Sequence, residues 1–528
     1  MRSLGNRHFA VYYSILVRSE ERVKVTDVLH DIEVLNISGD VSGNVTDICY
    51  DSRRCEKASL FVAVTGLKFD GHQFITDAIA RGARYVVHET DAPRQDGITY
   101  IKVRDSRRAL GRLGKNFFHD PSADLHLIGV TGTNGKTTVT YLLESILTAA
   151  GIRIGVVGTV NYRFNGKILQ SSITTPESLD LQRIFRDMVD AGVTHVIMEV
   201  SSHALDLARV DDCDHDIGIF TNLSQDHLDY HHTLENYFVA KRRYFMEVLP
   251  RDRKVIINAD DPWGRRLIDD VGSKAVTFGI DNISTVTAQQ YDLSINGIDA
   301  DIATPKGNFT VSSPMIGKFN LYNILASTTA AQLLDVDKKY IKEGIEVLHS
   351  VPGRLQKVST EREPAVFVDY AHTDDALKNV LINLSDFKQN RIITVFGCGG
   401  DRDRGKRPLM GQAAVTFSDL AIVTSDNPRT EEPMAIISDI EAGIRKMSVT
   451  KYQRDDVKAG FGEHGYVVIR DRREAIRVAV SIADPRDIIL IAGKGHEDYQ
   501  IIGTTKYPFD DTTEAKEALK KRFSGRAH

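Results

Sequence analysis

Thr131-Gly132-Thr133-Asn134-Gly135-Lys136-Thr137-Thr138 sets two glycines, a lysine and several hydroxyls behind the apolar run Leu125-His126-Leu127-Ile128-Gly129-Val130. It stands ahead of a stretch in which Leu142, Leu143, Ile146 and Leu147 recur at helical spacing. In a strand–turn–helix of this kind, backbone N–H groups and the helix N-terminus cradle phosphates, Lys136 reaches the terminal phosphates and the Thr137 hydroxyl holds magnesium. The usual spacing puts a glycine at Val130, so the loop is a variant of the common pattern. A phosphate loop needs a metal partner at a neighbouring strand end, and Glu199 follows Val196-Ile197-Met198. His203, His227, His231 and His232 come soon after, with Asp226-His227 behind the turn Thr221-Asn222-Leu223-Ser224; a single histidine is more often a structural hydrogen-bonder than a ligand. Lys241, in Ala240-Lys241-Arg242-Arg243 on an expected helix, reads from its spacing as an exposed lysine.

A second set of polar clusters follows apolar runs later in the chain: Asp369-Tyr370-Ala371-His372, Gly397-Cys398-Gly399-Gly400-Asp401-Arg402-Asp403, Ser425-Asp426-Asn427-Pro428-Arg429 and Gly493-Lys494-Gly495-His496-Glu497. Four such clusters at one sheet edge make a site for a zwitterionic ligand, with Arg407 and Arg429 as forks for a carboxylate and Glu497 as an acceptor for an ammonium.

The elements that must position these residues alternate between strands and helices from about residue 23, the profile of α/β domains. Three blocks are expected after an N-terminal extension of residues 1–22: a small α/β unit at 23–104, a phosphate-loop block with a mostly parallel sheet at 105–351 and a doubly wound block at 352–528. The chain is 528 residues long, which fits that count at about 150 residues per domain. Lys plus Arg is 67 against Asp plus Glu 72, so no global basic field recruits nucleic acid or an anionic membrane surface. No apolar run approaches the ~20 residues that span a bilayer, and no signal peptide or membrane insertion is expected. Cys49, Cys55, Cys213 and Cys398 match neither a zinc ribbon nor a disulfide framework and are expected as reduced thiols.

Gly132-Thr133-Asn134-Gly135-Lys136-Thr137-Thr138, Glu199-Val200-Ser201-Ser202-His203, Asn222-Leu223-Ser224-Gln225-Asp226-His227-Leu228-Asp229 and Asp369-Tyr370-Ala371-His372 together resemble the Mur ligases, ATP-dependent amino-acid-adding enzymes of cytoplasmic peptidoglycan synthesis. The resemblance runs in order from about residue 24 to about residue 520 and is strongest to members that add meso-diaminopimelate to UDP-N-acetylmuramoyl-L-alanyl-D-glutamate. It implies three domains: a UDP-binding one, a central ATPase and a Rossmann-like one for the amino acid. It also implies a cytoplasmic monomer serving cell-wall biogenesis, cell shape and cell division. ATP would phosphorylate the D-glutamate γ-carboxylate, and the amino acid's amine would attack the acyl phosphate, releasing ADP and phosphate.

Carried over by motif, Thr137 and Glu199 would hold Mg2+, His227 would help bind a second ion, and Lys241 would be a carbamate (N6-carboxylysine). Asn258, Asp260, Asn320 and Asn323 match the segment around the adenine, and Arg354 and Asp369 match residues that the C-terminal domain contributes to ATP. Ser52 in Asp51-Ser52-Arg53 would meet the UDP, while Thr174, Thr175, Ser201 and Arg209 would meet the muramoyl dipeptide. Arg407, Asp426, Asn427, Pro428, Arg429, Gly493 and Glu497 would bind diaminopimelate. Arg429 would pair with the far carboxylate that lysine lacks, disfavouring lysine by ~1–3 kcal/mol. Asp374 stands where the family normally has proline, a change in the rigidity of a helix entry. The 22-residue extension carries no motif and is expected to be a disordered tail or an early-called start. The competing readings are a lysine-adding homologue, a folylpolyglutamate synthase-like ligase and a non-catalytic nucleotide switch.

Overall fold

His126–Thr131, which ends in the phosphate loop, pairs in parallel with His195–Glu199 on one side and His215–Phe220 on the other. The computed structural model describes residues 22–523 apart from 67–68, 91–93, 172 and 361–362, and apart from the side chain of residue 459. The expected extension, Arg22 excepted, lies outside the described residues. Contacts divide the chain into two units: residues up to Thr287 with Leu325–Gly344, and Ala288–Ile324 with Ile345 onward. The first two expected blocks thus fall largely in one unit, and residues 288–324, expected in the ATPase block, group with the C-terminal one.

In the first unit the large sheet runs Lys167–Gln170, Asn161–Phe164, Ile154–Val157, His195–Glu199, His126–Thr131, His215–Phe220, Lys254–Asn258, Ala275–Gly279. The first three strands pair antiparallel and the rest parallel. Leu127, Ile128, Val130, Val196, Ile197 and Ile219 are buried, as central strands covered on both faces require. Gly129 has a packing reason: a Cβ there would lie 2.0 Å from the Tyr244 hydroxyl, which crosses the sheet to meet His215 Nδ1 at 3.0 Å.

A smaller sheet of the same unit runs Val34–Ser38, Thr99–Val103, Tyr85–His88, Leu60–Val62, Ile48–Cys49. It is tied to helix Ser178–Asp190 by Tyr50 Oη donating to Asp180 at 2.5 Å and Arg183 to Asp47 at 2.9 Å. The helix expected near Ala109 to Phe118 spans Ser106–Phe117, because Asp105 caps it earlier by accepting from the Arg108 N–H at 2.9 Å. The cysteine expectation is corrected here: Cys49 and Cys55, Cα atoms 6.0 Å apart, form a disulfide, while Cys213 and Cys398 are free and buried. Six residues of separation carry no framework signal; the bend through Asp51–Arg54 brings the two together.

In the second unit a seven-stranded sheet runs Gln356–Lys357, Ala365–Asp369, Ile488–Ala492, Ile392–Phe396, Leu420–Val423, Gly465–Val468, Thr450–Tyr452, all parallel beyond the first pair. An antiparallel hairpin, Gly297–Ala303 with Phe309–Ser313, belongs to the same unit. Ile489 pairs with Val366 on one side and Ile393 on the other and is fully buried. Ile489→Ala is therefore expected to destabilise this unit by about 2–5 kcal/mol, read as an earlier denaturant midpoint with an unchanged m-value.

Candidate functional site

The phosphate loop is held open by the turn behind the neighbouring strand. Thr133 N–H donates to the Asn222 carbonyl at 2.8 Å and Asn134 N–H to Asn222 Oδ1 at 2.9 Å. In return, the Thr221 hydroxyl and the Asn222 amide donate to the Asn134 carbonyl at 2.6 and 3.1 Å. Gly132 has φ +144°, and a Cβ there would lie 2.0 Å from Thr221 Oγ1. Gly135, at φ +89°, precedes helix Lys136–Ala149, in which Thr137 and Thr138 are buried. Lys136 Nζ donates to the Gly132 and Thr133 carbonyls at 2.9 and 2.8 Å, so its ammonium folds over the loop.

Glu199, only 1% exposed, closes the loop on its other side. Its Oε2 accepts from the Thr137 hydroxyl at 3.2 Å and the Thr159 hydroxyl at 2.9 Å, and its Oε1 from the Thr159 N–H at 2.9 Å. Thr175 donates to the Glu199 carbonyl at 2.9 Å, the Thr175 hydroxyl accepts from Ser201 N–H at 3.1 Å, and Arg209 donates to the Thr175 carbonyl at 3.1 Å. The Thr174 and Thr159 hydroxyls lie 3.1 Å apart. The candidate muramoyl-peptide residues Thr174, Thr175, Ser201 and Arg209 thus form one connected patch against the candidate metal residue.

Lys241 is not the exposed lysine its spacing suggested. It is 1% exposed on helix Leu234–Arg243, with Nζ 2.9 Å from the Gly132 carbonyl, 3.4 Å from Thr131 Oγ1 and 4.6 Å from the Tyr237 ring centroid. Burial, and then the charge of Lys136, push its ammonium pKa well below the ordinary lysine value. His227, at φ +54°, packs edge-on to His203 with ring centroids 5.0 Å apart. Burial lowers its pKa to about 4, against the pull of Asp226, so its imidazole is neutral near pH 7 and able to bind a metal. His231 instead bonds the Ser202 hydroxyl at 2.9 Å, a structural role.

Among the described residues no three His, Cys, Asp or Glu side chains converge on a metal position. The donors at the loop nevertheless fit a hard cation such as magnesium: the Thr137 hydroxyl and the Glu199 carboxylate are buried oxygen ligands side by side. Asn258 donates to the Thr221 carbonyl at 3.0 Å, and Asp260 accepts the Ile280, Asp281 and Asn282 N–H groups at 2.6, 2.9 and 2.8 Å, so both brace loops that follow the sheet's strands. Ser52 is buried in the turn Ser52–Arg54, which Asp51 caps through the Arg53 N–H at 3.0 Å.

In the second unit the four polar clusters follow four adjacent parallel strands, Ala365–Asp369, Ile488–Ala492, Ile392–Phe396 and Leu420–Val423. They therefore share the carboxyl edge where doubly wound sheets bind ligands. Asn427 Nδ2 donates to Glu497 Oε2 at 2.7 Å, and Asp426 Oδ1 accepts the Asn427 N–H at 2.6 Å. Gly493 is required: φ is +117°, and a Cβ would lie 2.7 Å from Asp426 Oδ2. Arg429, itself at φ +51° behind Pro428, aims its guanidinium by donating from Nη1 to the Gly400 carbonyl at 2.7 Å.

Arg407 differs from the expectation of a waiting fork. It is fully buried and gives Nη1 and Nη2 to Glu431 at 3.0 and 2.8 Å and Nη1 to Asp439 at 2.9 Å, so a ligand carboxylate must displace Glu431 to take it. Asp369 spends its carboxylate on the Leu355 and Ala371 N–H groups at 2.6 and 2.8 Å, and Arg354 lies over the Tyr370 ring at 5.0 Å. Asn320 and Asn323 are buried and bonded to each other at 3.0 Å on helix Lys318–Leu333. Asp374 opens helix Asp374–Ser385 behind the Thr373 cap, a first-turn position that suits either a proline or an acid.

Sequence profiles of three families match in order: Mur ligase family, catalytic domain, at 44–118; Mur ligase middle domain at 130–331; and Mur ligase, glutamate ligase domain, at 353–495. UDP-N-acetylmuramoyl-L-alanyl-D-glutamate–2,6-diaminopimelate ligase of Geobacter metallireducens is 46% identical over 507 residues, covering 95% of this chain and 99% of its own. The chain belongs to the Mur ligase family. The ligase of the same name from Geobacter sulfurreducens is 45% identical over 95% of this Mur ligase and 100% of its own length. A solved structure of a ligase with that name superposes with a TM-score of 0.67 at 33% identity, covering 95% of this chain and 99% of that one.

The loop geometry makes a separable prediction. Gly132→Ala is expected to weaken Mg-ATP binding at least about tenfold by titration calorimetry, because its Cβ meets Thr221. Gly151→Ala, at φ +76° with open space around it, is expected to cost only about 1–2 kcal/mol of stability and to leave ATP binding unchanged.

Proposed function

We propose that this Mur ligase adds meso-diaminopimelate to the D-glutamate γ-carboxylate of UDP-N-acetylmuramoyl-L-alanyl-D-glutamate, with ATP as co-substrate, as a cytoplasmic monomer in peptidoglycan precursor synthesis. The observation that carries the reading is the carboxyl edge of the second unit, where Arg429, a fork for a carboxylate, and Glu497, an acceptor for an ammonium, flank the buried amide of Asn427. The names of the full-length relatives agree with it. By this reading residues 23–104 take the UDP moiety through Ser52, residues 105–351 take ATP, and residues 352–528 take the amino acid.

The chemistry follows from what each group holds. The loop from Gly132 to Thr138 offers its N–H groups to the phosphates, and Lys136 swings from its carbonyls to the transferred phosphoryl group, whose charge it offsets. Thr137 and Glu199 would hold magnesium, with His227 and the Lys241 carbamate helping to bind a second ion, and the metal would supply neutralisation of charge on the phosphoryl oxygens. Thr174, Thr175, Ser201 and Arg209 place the γ-carboxylate in line, since Arg209 is a fork for a peptide carboxylate. Converting the carboxylate to an acyl phosphate replaces oxide with phosphate as the leaving group. The amine of diaminopimelate, oriented by Glu497 and Arg429, then displaces it through a tetrahedral intermediate.

Lys241 supplies a reason of its own. A carbamate forms from a neutral amine and CO2, and the lowered pKa raises the share of Lys241 present as that amine. The carbamate's negative charge also relieves the repulsion from Lys136. Protein incubated with 13C-bicarbonate is expected to show one carbamate carbonyl resonance that Lys241→Met abolishes together with more than about 100-fold of the activity.

The substrate assignment is tested by phosphate release from Mg-ATP and the UDP-dipeptide. The expected release requires meso-diaminopimelate, and L-lysine does not replace it. Arg429→Ala is expected to lower kcat/KM for diaminopimelate by about 10- to 100-fold without a matching loss for lysine. Release with lysine in the unmodified protein would instead establish the lysine-adding reading.

A further inference from the structure

Lys494 is fully buried at the carboxyl edge of the second unit's sheet. An ammonium is retained in an interior only where its donors find acceptors. Its Nζ lies 3.0 Å from Glu497 Oε2 and 3.2 Å from Asn427 Oδ1, with the Tyr499 ring centroid at 5.6 Å. The glycines on either side turn it inward: Gly493 has φ +117° and Gly495 +55°, and a Cβ on Gly495 would lie 2.7 Å from Tyr370 Cβ. Asn427 completes a triangle. Its Nδ2 donates to the same Glu497 oxygen at 2.7 Å, and its Oδ1 also accepts the Ile501 N–H at 2.9 Å.

Two consequences follow from this arrangement. The Asn427 amide has one orientation, because its oxygen faces two donors and its nitrogen a carboxylate. Glu497 receives both donors on Oε2, which leaves Oε1 for a ligand, and its side chain is 18% exposed. The cation beneath Glu497 also offsets its charge, and with the Arg429 guanidinium nearby the subsite presents both signs to a zwitterionic end group.

We propose that Lys494 is a positioning residue for the amino-acid subsite: its buried ammonium orients Glu497 and Asn427 so that Glu497 Oε1 meets the ammonium of the incoming amino acid. The inference rests on the reading of this edge as the diaminopimelate site. It assigns a role to a residue that touches no substrate and that its exposed-looking glycine-rich context conceals.

The test is steady-state phosphate release by the full chain, varying each substrate in turn. Lys494→Met is expected to raise KM for meso-diaminopimelate about 10- to 100-fold, the loss of a charge-assisted pair, with KM for ATP and for the UDP-dipeptide within about twofold. Lys494→Arg is expected to restore part of the loss. In a Glu497→Gln background, Lys494→Met is expected to add less than about threefold, because its effect passes through Glu497. Should Lys494→Met not fold, Lys494→Gln, which keeps a donor toward Asn427 but no charge, is read in the same way. An unchanged diaminopimelate KM, or an equal rise in all three KM values, would overturn the proposal. The unmodified chain assayed alongside separates the two claims: no diaminopimelate-dependent release there would sink the function, whereas release there with indifferent Lys494 variants would sink only this inference.

Discussion

Glu199 is a carboxylate with almost no exposed surface, and the phosphate-loop end of the first unit's large sheet is arranged around keeping it there. A buried carboxylate persists only where donors surround it, and the Thr137 and Thr159 hydroxyls and the Thr159 N–H supply them. Those bonds tie the first turn of the phosphate-loop helix to the end of the adjacent strand. The loop's width is then set from the opposite side by Thr221 and Asn222. The backbone at Thr175 and Ser201 hangs from the same strand end, so the patch assigned to the peptide substrate inherits its position from the residue assigned to magnesium. Lys241 answers the same constraint from below, a buried amine set against a loop that already carries Lys136.

The C-terminal unit solves a parallel problem with charge pairs. Arg472, fully buried, forks Asp511 at 2.8 and 2.7 Å and lies 3.9 Å from Asp426, while Lys494 sits under Glu497. Arg407 is consumed by Glu431 and Asp439. Breaking one member of such pairs leaves a buried uncompensated charge, so these ions hold the edge in one geometry, and Arg429 and Glu497 are the groups proposed to meet the ligand there. On the proposed reading, specificity between diaminopimelate and lysine rests on the half-buried fork of Arg429, supported by these hidden pairs.

Much of this was legible in the chain. Apolar runs such as Ile392–Phe396 and Leu420–Val423 are strands at the expected residues, since buried parallel strands leave a continuous apolar signature. The phosphate loop was readable from Gly132, Gly135, Lys136 and Thr137 set between an expected strand and an expected helix, although Val130 stands where the usual spacing has a glycine. Lys241 was not, because a lysine between an alanine and two arginines on a helix carries no sign of the sheet that will cover it; only its match to a motif pointed inward. Lys494 and Arg472 escaped for the same reason: burial of a charge depends on partners far away in sequence, Asn427 and Asp511 among them. Arg407 was identified by residue type, and its enclosure by Glu431, 24 residues on, is tertiary information. The Cys49–Cys55 bond likewise depends on a local bend rather than a spacing pattern.

The central claim is that the chain joins an amine to a carboxylate through an acyl phosphate. It is tested most directly with UDP-N-acetylmuramoyl-L-alanyl-D-glutamate carrying 18O in the γ-carboxylate, by mass analysis of the phosphate released during diaminopimelate-dependent turnover. The account predicts one 18O transferred to each phosphate, because the oxygen that becomes the bridge between acyl carbon and phosphorus leaves with the phosphate. Phosphate released without label while the amide forms would contradict it.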